Sequence, residues 1–324
     1  MSIFHRHTEA QPLPSEGRNP GFDGATGWLN SDPLSLDDLR GKVVLVDFWT
    51  YTCINWLRTL GYVRAWAEKY ADDGLVVVGV HTPEFPFEHD VDNVRDAVAE
   101  MNIRYPVALD PNFDVWQAFA NNYWPAVYIA DSDGRIRYHH YGEGAYDECE
   151  RVVQQLLAEM GGRDDVGDEL VSVSLDGFEV QADWENLESP ETYLGSEQAT
   201  NFARGVPANA LHLNQWTLLG DWVVERRASV LNGSEGTVAF RFHARDVNLV
   251  MGPPQKGVSV PFRVVVDGEP PGDAHGFDVD EHGRGTVTQQ RLHQLVRQPG
   301  SIGDRTVEIT FLEPGAEVYC FTFG

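Results

Sequence analysis

Two patterns of hydrophobic and polar positions divide the chain. From Gly41 to about Met160, short apolar runs alternate with segments of helical period. Lys42–Trp49 (KVVLVDFW) is apolar almost throughout, which predicts a buried strand. A helix is expected from about Cys53 to Tyr70, a second buried strand over Leu75–His81, and a helix over Asp90–Met101 with Val91, Val94 and Val98 as its apolar positions. Ala126–Ala130 and Arg135–Tyr141 read as strands joined by the turn Asp131-Ser132-Asp133-Gly134. A last helix spans about Tyr146–Met160. Strand–helix alternation followed by a hairpin and a helix implies an α/β layer fold with a mixed sheet.

Gly161–Glu169 is polar and aperiodic, so the linker is placed there. Beyond it helical patterns almost vanish. Strands are expected at Val171–Leu175, Trp222–Leu231, Thr237–Phe242, Asn248–Met251, Phe262–Val266, Gln290–Arg297, Thr306–Phe311 and Val318–Phe323, with turns such as Asp267-Gly268 between them. This spacing suggests an all-β sandwich or jelly roll. The expected organisation is an N-terminal tail over 1–20, an α/β domain over 21–160, the linker over 161–169 and the β-domain over 170–324.

Length and charge narrow the functions. The 324 residues suit two domains, and a formal charge of −26 argues against nucleic acid as a partner, because a phosphate backbone would be repelled. No apolar run approaches the length of a bilayer span, so the chain is not expected to be membrane-embedded. Its first ten residues lack the apolar stretch of a secretory signal. Taken as starting at Met1, the chain is expected in the cytoplasm; removal of an upstream membrane part would place it outside. Three widely separated cysteines, Cys53, Cys149 and Cys320, form neither a disulfide framework nor a zinc site, and no metal or cofactor is expected.

The candidate chemistry centres on Cys53. It follows a buried strand where a helix begins, and there the unpaired amides and the helix dipole favour a thiolate. Asp47 stands inside the apolar run, where an acid must be paired or protonated. The segment VVLVDFWTYTCINWLRTLGY resembles the active-site region of the thioredoxin superfamily, with Asp47-Phe48-Trp49 preceding the nucleophilic cysteine. The family's cis-proline is matched by Pro125 in Tyr123-Trp124-Pro125-Ala126, and the segment from about Thr82 to Asn122 is similar to the insertion of the TlpA/redoxin branch.

Together, WTYTCIN, VVVGVHTPEF, YPVALD, YWPA and IRYHHYGEG resemble the thioredoxin-like part of DipZ-type thiol-disulfide interchange proteins, while SPETYLG, FRFHARDVNLVMGP and GTVTQQRLHQLVRQPG resemble their C-terminal domain, a β-sandwich like carbohydrate-binding modules. Their membrane-embedded CcdA-like part has no counterpart here. The resemblance implies a thioredoxin-like domain whose Cys53 is served by Asp47, Trp49 and Pro125. The family motif is Cys-x-x-Cys, however, and this chain reads Cys53-Ile54-Asn55-Trp56. Trp56 cannot resolve a mixed disulfide, Asp47 loses its task of ionising a second thiol, and Gly61 replaces the family's helix proline.

His81, with Glu84 close behind, ends its strand at the same sheet edge as Cys53 and is a candidate for the site. Thr50-x-x-Cys53 has the spacing of peroxiredoxins, but Val46 stands where they carry proline, which makes peroxidase the lesser option. Cys149 and Cys320 read as structural. In the β-domain, Tyr193, Trp216 and Trp222 are candidates for stacking on sugar rings, with a core role preferred for both Trp. Asp278-x-Asp280 with Gly283 reads as an acidic turn, since Gln289 stands where a calcium loop has glutamate. His139 and His140 face opposite sides of a strand.

The expected function is a monothiol thioredoxin-like oxidoreductase in which Cys53 acts on protein or low-molecular-weight disulfides and an outside thiol resolves. The alternatives are a scaffold that kept the fold without turnover, and a glycan-binding protein acting through its β-domain.

Overall fold

The computed structural model describes residues 12–161, 167 and 169–324, so most of the linker expected over 161–169 lies outside the described residues. The chain forms two compact units, Met1–Glu84 with Glu88–Ser174, and Phe85–Phe87 with Leu175–Gly324.

The first unit holds strands β1 (Gly17–Arg18), β2 (Gly27–Leu29), β3 (Val43–Trp49), β4 (Leu75–His81), β5 (Val107–Leu109), β6 (Ala126–Ala130) and β7 (Arg135–Tyr141), in the sheet order β1-β7-β6-β3-β4-β5-β2. Helices α1 (Ile54–Lys69), α2 (Val91–Glu100), α3 (Asp114–Ala118) and α4 (Tyr146–Gly161) complete it. β3 is central, parallel to β4 and antiparallel to β6, and every one of its residues is buried. Side chains alternate across the sheet. Val44, Val46 and Phe48 face one layer, where the Phe48 ring meets those of Trp116, Phe119 and Tyr128 edge-on. Asp47 and Trp49 therefore face the other, towards α1. This is the thioredoxin-like mixed sheet. The N-terminal segment expected as a tail supplies β1, which pairs with Ile136 and Arg135 of β7.

The same layer contains a buried acid that its helical setting did not announce. Glu150 of α4 accepts hydrogen bonds from Trp66 Nε1 (3.1 Å), Tyr70 OH (2.6 Å), Lys69 Nζ (3.0 Å) and the Val171 amide. Burial pushes its carboxyl up, but these donors outweigh burial and hold it below the usual carboxylate range. The Val171 amide is thus spent on a side chain, and the strand expected over Val171–Leu175 does not form.

The second unit is an all-antiparallel, curled sheet of nine strands among the described residues: β8 (Thr192–Tyr193), β9 (Trp216–Val224), β10 (Ser229–Phe242), β11 (Asp246–Gly252), β12 (Val260–Val266), β13 (Arg284–Val287), β14 (Arg291–Arg297), β15 (Arg305–Phe311) and β16 (Glu317–Phe323). The single strand expected over Trp222–Leu231 is two, because a turn closed by the Glu225 amide on the Ala228 carbonyl (2.8 Å) folds β9 back against β10. β10 joins both halves of the sheet. Its start pairs with β16, and after a bulge between Leu231 and Gly236 its remainder pairs with β15. A Cβ at Gly236 would lie 2.4 Å from Leu231 Cδ1 and 2.7 Å from Trp222 Nε1, so glycine leaves the room that these side chains occupy.

Glu150→Ala would strand the buried Trp66 and Tyr70 donors and the half-buried Val171 amide, while the exposed Lys69 keeps the Glu169 carbonyl. It is expected to lower the unfolding free energy of the first unit by about 2–4 kcal/mol, measured by denaturant titration.

Candidate thiol site

Cys53 is the N-cap of α1, with φ −74° and ψ 111°, and is half-buried. The first turn of α1 carries no acidic residue, so no side chain of the helix itself competes with the sulfur for the positive end of its dipole. The thiol lies 3.8 Å from the Trp124 carbonyl oxygen, to which it donates, and the Trp124–Pro125 peptide is cis. Helix start and proline step thus bracket one sulfur atom.

Beneath it lies a packed polar stack. Asp47 is completely buried, and the Trp56 indole N–H donates to its Oδ2 at 2.9 Å. Trp56 in turn stacks on Trp49, with ring centroids 4.3 Å apart and planes 20° from parallel. Trp49 meets His81 edge-on at 4.8 Å, and His81 stacks on Tyr51. Gly79 makes this packing possible, because a Cβ there would come 2.8 Å from Trp49 Nε1 and 3.0 Å from Tyr105 Cε2.

Burial sets the protonation of the stack. It pushes the Asp47 carboxyl up to about 7, against the lowering effect of the Trp56 hydrogen bond. It pushes His81 down to about 3, so the imidazole is neutral. Tyr105 is held well above its ordinary value, by burial first and then by the neighbouring Asp47 charge. His81, expected at the rim with Glu84, is instead a buried neutral ring packed between Trp49 and Tyr51.

Several residues that fasten the site carry no motif. Glu88 accepts from the Thr52 hydroxyl and from the Glu84 amide, both at 2.6 Å, tying the segment after β4 to the residue before Cys53. Arg58 of α1 pairs with Glu143 at 3.2 Å, both side chains at most 3% exposed. Glu143 lies next to Gly142, whose amide donates to the Pro125 carbonyl at 2.8 Å. Burial raises the Glu143 carboxyl and Arg58 opposes that rise. An arginine on the buried face of a helix is the one sequence signal that could have prompted a search for its acid.

The other candidates lie elsewhere. Cys149 and Cys320 are buried, and burial pushes the Cys149 thiol up to about 12. Trp216 is wholly buried, stacked on Phe202 with its indole N–H on the Thr200 carbonyl; it is a core residue and offers no sugar platform. Trp222 is half-buried against Phe311, and Tyr193 reaches Glu191. Asp278 accepts from Arg291 and from the Gln294 amide, while Asp280 closes its own turn. No described helix is long and apolar enough to cross a membrane.

Residues 25–157 match the Redoxin family model. The thiol-disulfide oxidoreductase YkuV of Bacillus subtilis is 30% identical over 149 residues, 46% of this chain and 96% of YkuV. The chain belongs to the redoxin family of thioredoxin-like proteins. Residues 189–324 match the model described as thioredoxin like C-terminal domain. Protein DipZ of Mycobacterium tuberculosis is 35% identical over 331 residues, which span 97% of this redoxin chain and 44% of DipZ; the chain therefore covers less than half of that relative. Human NHL repeat-containing protein 2 is 34% identical over 159 residues, 48% of this chain and 22% of the relative.

The buried acid has a measurable pH signature. Unfolded, Asp47 ionises near 3.8; folded, near 7. Between these values the native state holds the extra proton, so Asp47 makes stability fall as pH rises through that window. His81, lowered from 6.5 to about 3, acts oppositely, since the unfolded state binds its proton first. Only the difference between wild type and Asp47→Asn isolates the acid. The variant is expected to gain stability relative to wild type between pH 4 and pH 7, by about 4 kcal/mol at most, with denaturant midpoints as the readout.

Proposed function

We propose that the chain is a monothiol thiol-disulfide oxidoreductase of the redoxin family, with Cys53 as its sole reacting sulfur. The observation that carries this is the placement of Trp56. At the family's resolving position it is wholly buried, bonded to Asp47 and stacked on Trp49, and it has no sulfur to offer. Cys149 and Cys320 are buried outside any Cys-x-x-Cys setting, whereas Cys53 is partly exposed.

In this mechanism the Cys53 thiolate attacks one sulfur of a substrate R–S–S–R′. The new bond is Cys53–S–S–R, and R′S⁻ leaves with the electron pair of the broken bond. An outside thiol R″SH, as its thiolate, then attacks the R sulfur, giving R–S–S–R″ and returning Cys53 as the leaving thiolate. The reducing equivalents come from that outside thiol. Ile54 and its neighbours at the start of α1 stabilise the Cys53 thiolate through the helix dipole. Asp47, Trp49 and Pro125 position the sulfur.

A second reading has one observation in its favour. The Cys53 thiol donates to the Trp124 carbonyl, a contact that stabilises the protonated, unreactive form and suits a scaffold that kept the fold without turnover.

A chromogenic aromatic disulfide separates the two readings. The wild-type protein is expected to release one equivalent of aromatic thiolate and stop, Cys53→Ser none, and a small added thiol should restart release. Sustained turnover without added thiol overturns the monothiol reading, and absence of any burst favours the scaffold. Trp56→Cys places a second thiol one helical turn from Cys53. On mild oxidation two of its four thiols are expected to disappear from a thiol count, and to return with a dithiol reductant.

A further inference from the structure

Among the described residues of the first unit, four large hydrophobic side chains are exposed: Leu36, Val91, Tyr123 and Tyr141. Two of them stand side by side. Tyr123 and Tyr141 are 53% and 41% exposed, with ring centroids 4.8 Å apart. Tyr123 directly precedes Trp124, whose carbonyl touches the Cys53 sulfur.

The pair is held rigidly from below. Asn121, nearly buried, donates from Nδ2 to the Tyr123 carbonyl (3.1 Å) and accepts the Tyr123 amide on Oδ1 (3.4 Å). The buried Tyr128 hydroxyl lies 3.3 Å from Asn121 Oδ1 and 3.4 Å from the Tyr141 hydroxyl. His139 packs its ring 4.6 Å from Tyr141 and is itself paired with Glu16 at 2.6 Å. Among the described residues both rings stay about half in water while the groups beneath them are ordered, which suits a surface kept ready for a partner. Both rings bury much area at small cost in rotamer freedom when a ligand lands on them.

We infer that Tyr123 and Tyr141 form the substrate-selecting surface of Cys53, and that they take an aromatic side chain flanking a disulfide-bonded cysteine in a peptide. This rests on the proposed role of Cys53 and names the substrate class of that site. The flanking ring stacks on the tyrosine pair while the disulfide is presented to the sulfur; the exchange itself is unchanged, with the Cys53–S–S–R bond formed and R′S⁻ released. An acidic side chain in that position is disfavoured, because the chain's net charge of −26 repels it.

The test measures rates of mixed-disulfide formation by Cys53 with three peptide disulfides that differ in one flanking residue, Phe, Gly or Glu, alongside a chromogenic small disulfide. Wild-type protein is expected to prefer the Phe peptide over the Gly peptide by about tenfold, the scale of one or two aromatic contacts. Tyr123→Ser with Tyr141→Ser should bring that ratio close to one, and Tyr123→Phe, which keeps the ring, should preserve it. Equal rates for the Phe and Gly peptides in the wild type, with the small disulfide reacting, overturn the selecting surface alone. A preference that survives both serine substitutions overturns it too. Absence of reaction with every disulfide, the small one included, overturns the role of Cys53 and this inference with it.

Discussion

The hydrogen bond from the Trp56 indole to the Asp47 carboxylate joins two groups that would each be costly alone. A carboxyl in the middle of a sheet loses its hydration, and a buried indole N–H needs an acceptor. The bond also fixes where Trp56 lies, over Trp49, and so sets the spacing between α1 and the sheet directly beneath Cys53. Gly79 completes the constraint by leaving the room that Trp49 and Tyr105 fill. Trp49 and Trp56, stacked in this way, form an aromatic floor under the start of α1.

Around that floor the site is fastened by polar pairs from distant parts of the chain. Glu88 holds Thr52, Arg58 holds Glu143, and the loop of Glu143 meets Pro125 through Gly142. Each pair joins a different segment to the strand end or helix start that carries Cys53. Supports of this kind hold the geometry of a reacting group fixed.

What could be read from the sequence followed physical range. The strands expected at Leu75–His81, Ala126–Ala130 and Arg135–Tyr141 have the bounds that the structure gives β4, β6 and β7, since a strand flanked by turn residues is a local signal. Short elements such as β5, α3 and β8 were not legible, being too brief to show a period. Nor was the break at Glu225–Ala228, where polar turn residues sit inside a plausible strand. Cys53 at a helix start was visible because motif and pattern coincide there. Glu150, Glu88 and the Arg58–Glu143 pair were not, because each depends on partners that only folding brings near. The burial of His81 was missed for a related reason: a strand's last residue reads as rim until the rings of Trp49 and Tyr51 close over it.

Codons for tryptophan and cysteine differ by a single base, so an exchange between them at position 56 is genetically short. The packing around Trp56 makes it structurally long. An indole that supplies a hydrogen bond, a stacking surface and buried volume is part of the architecture, and a cysteine at position 56 would leave Asp47 without that donor, Trp49 without that stacking partner and the space under α1 unfilled.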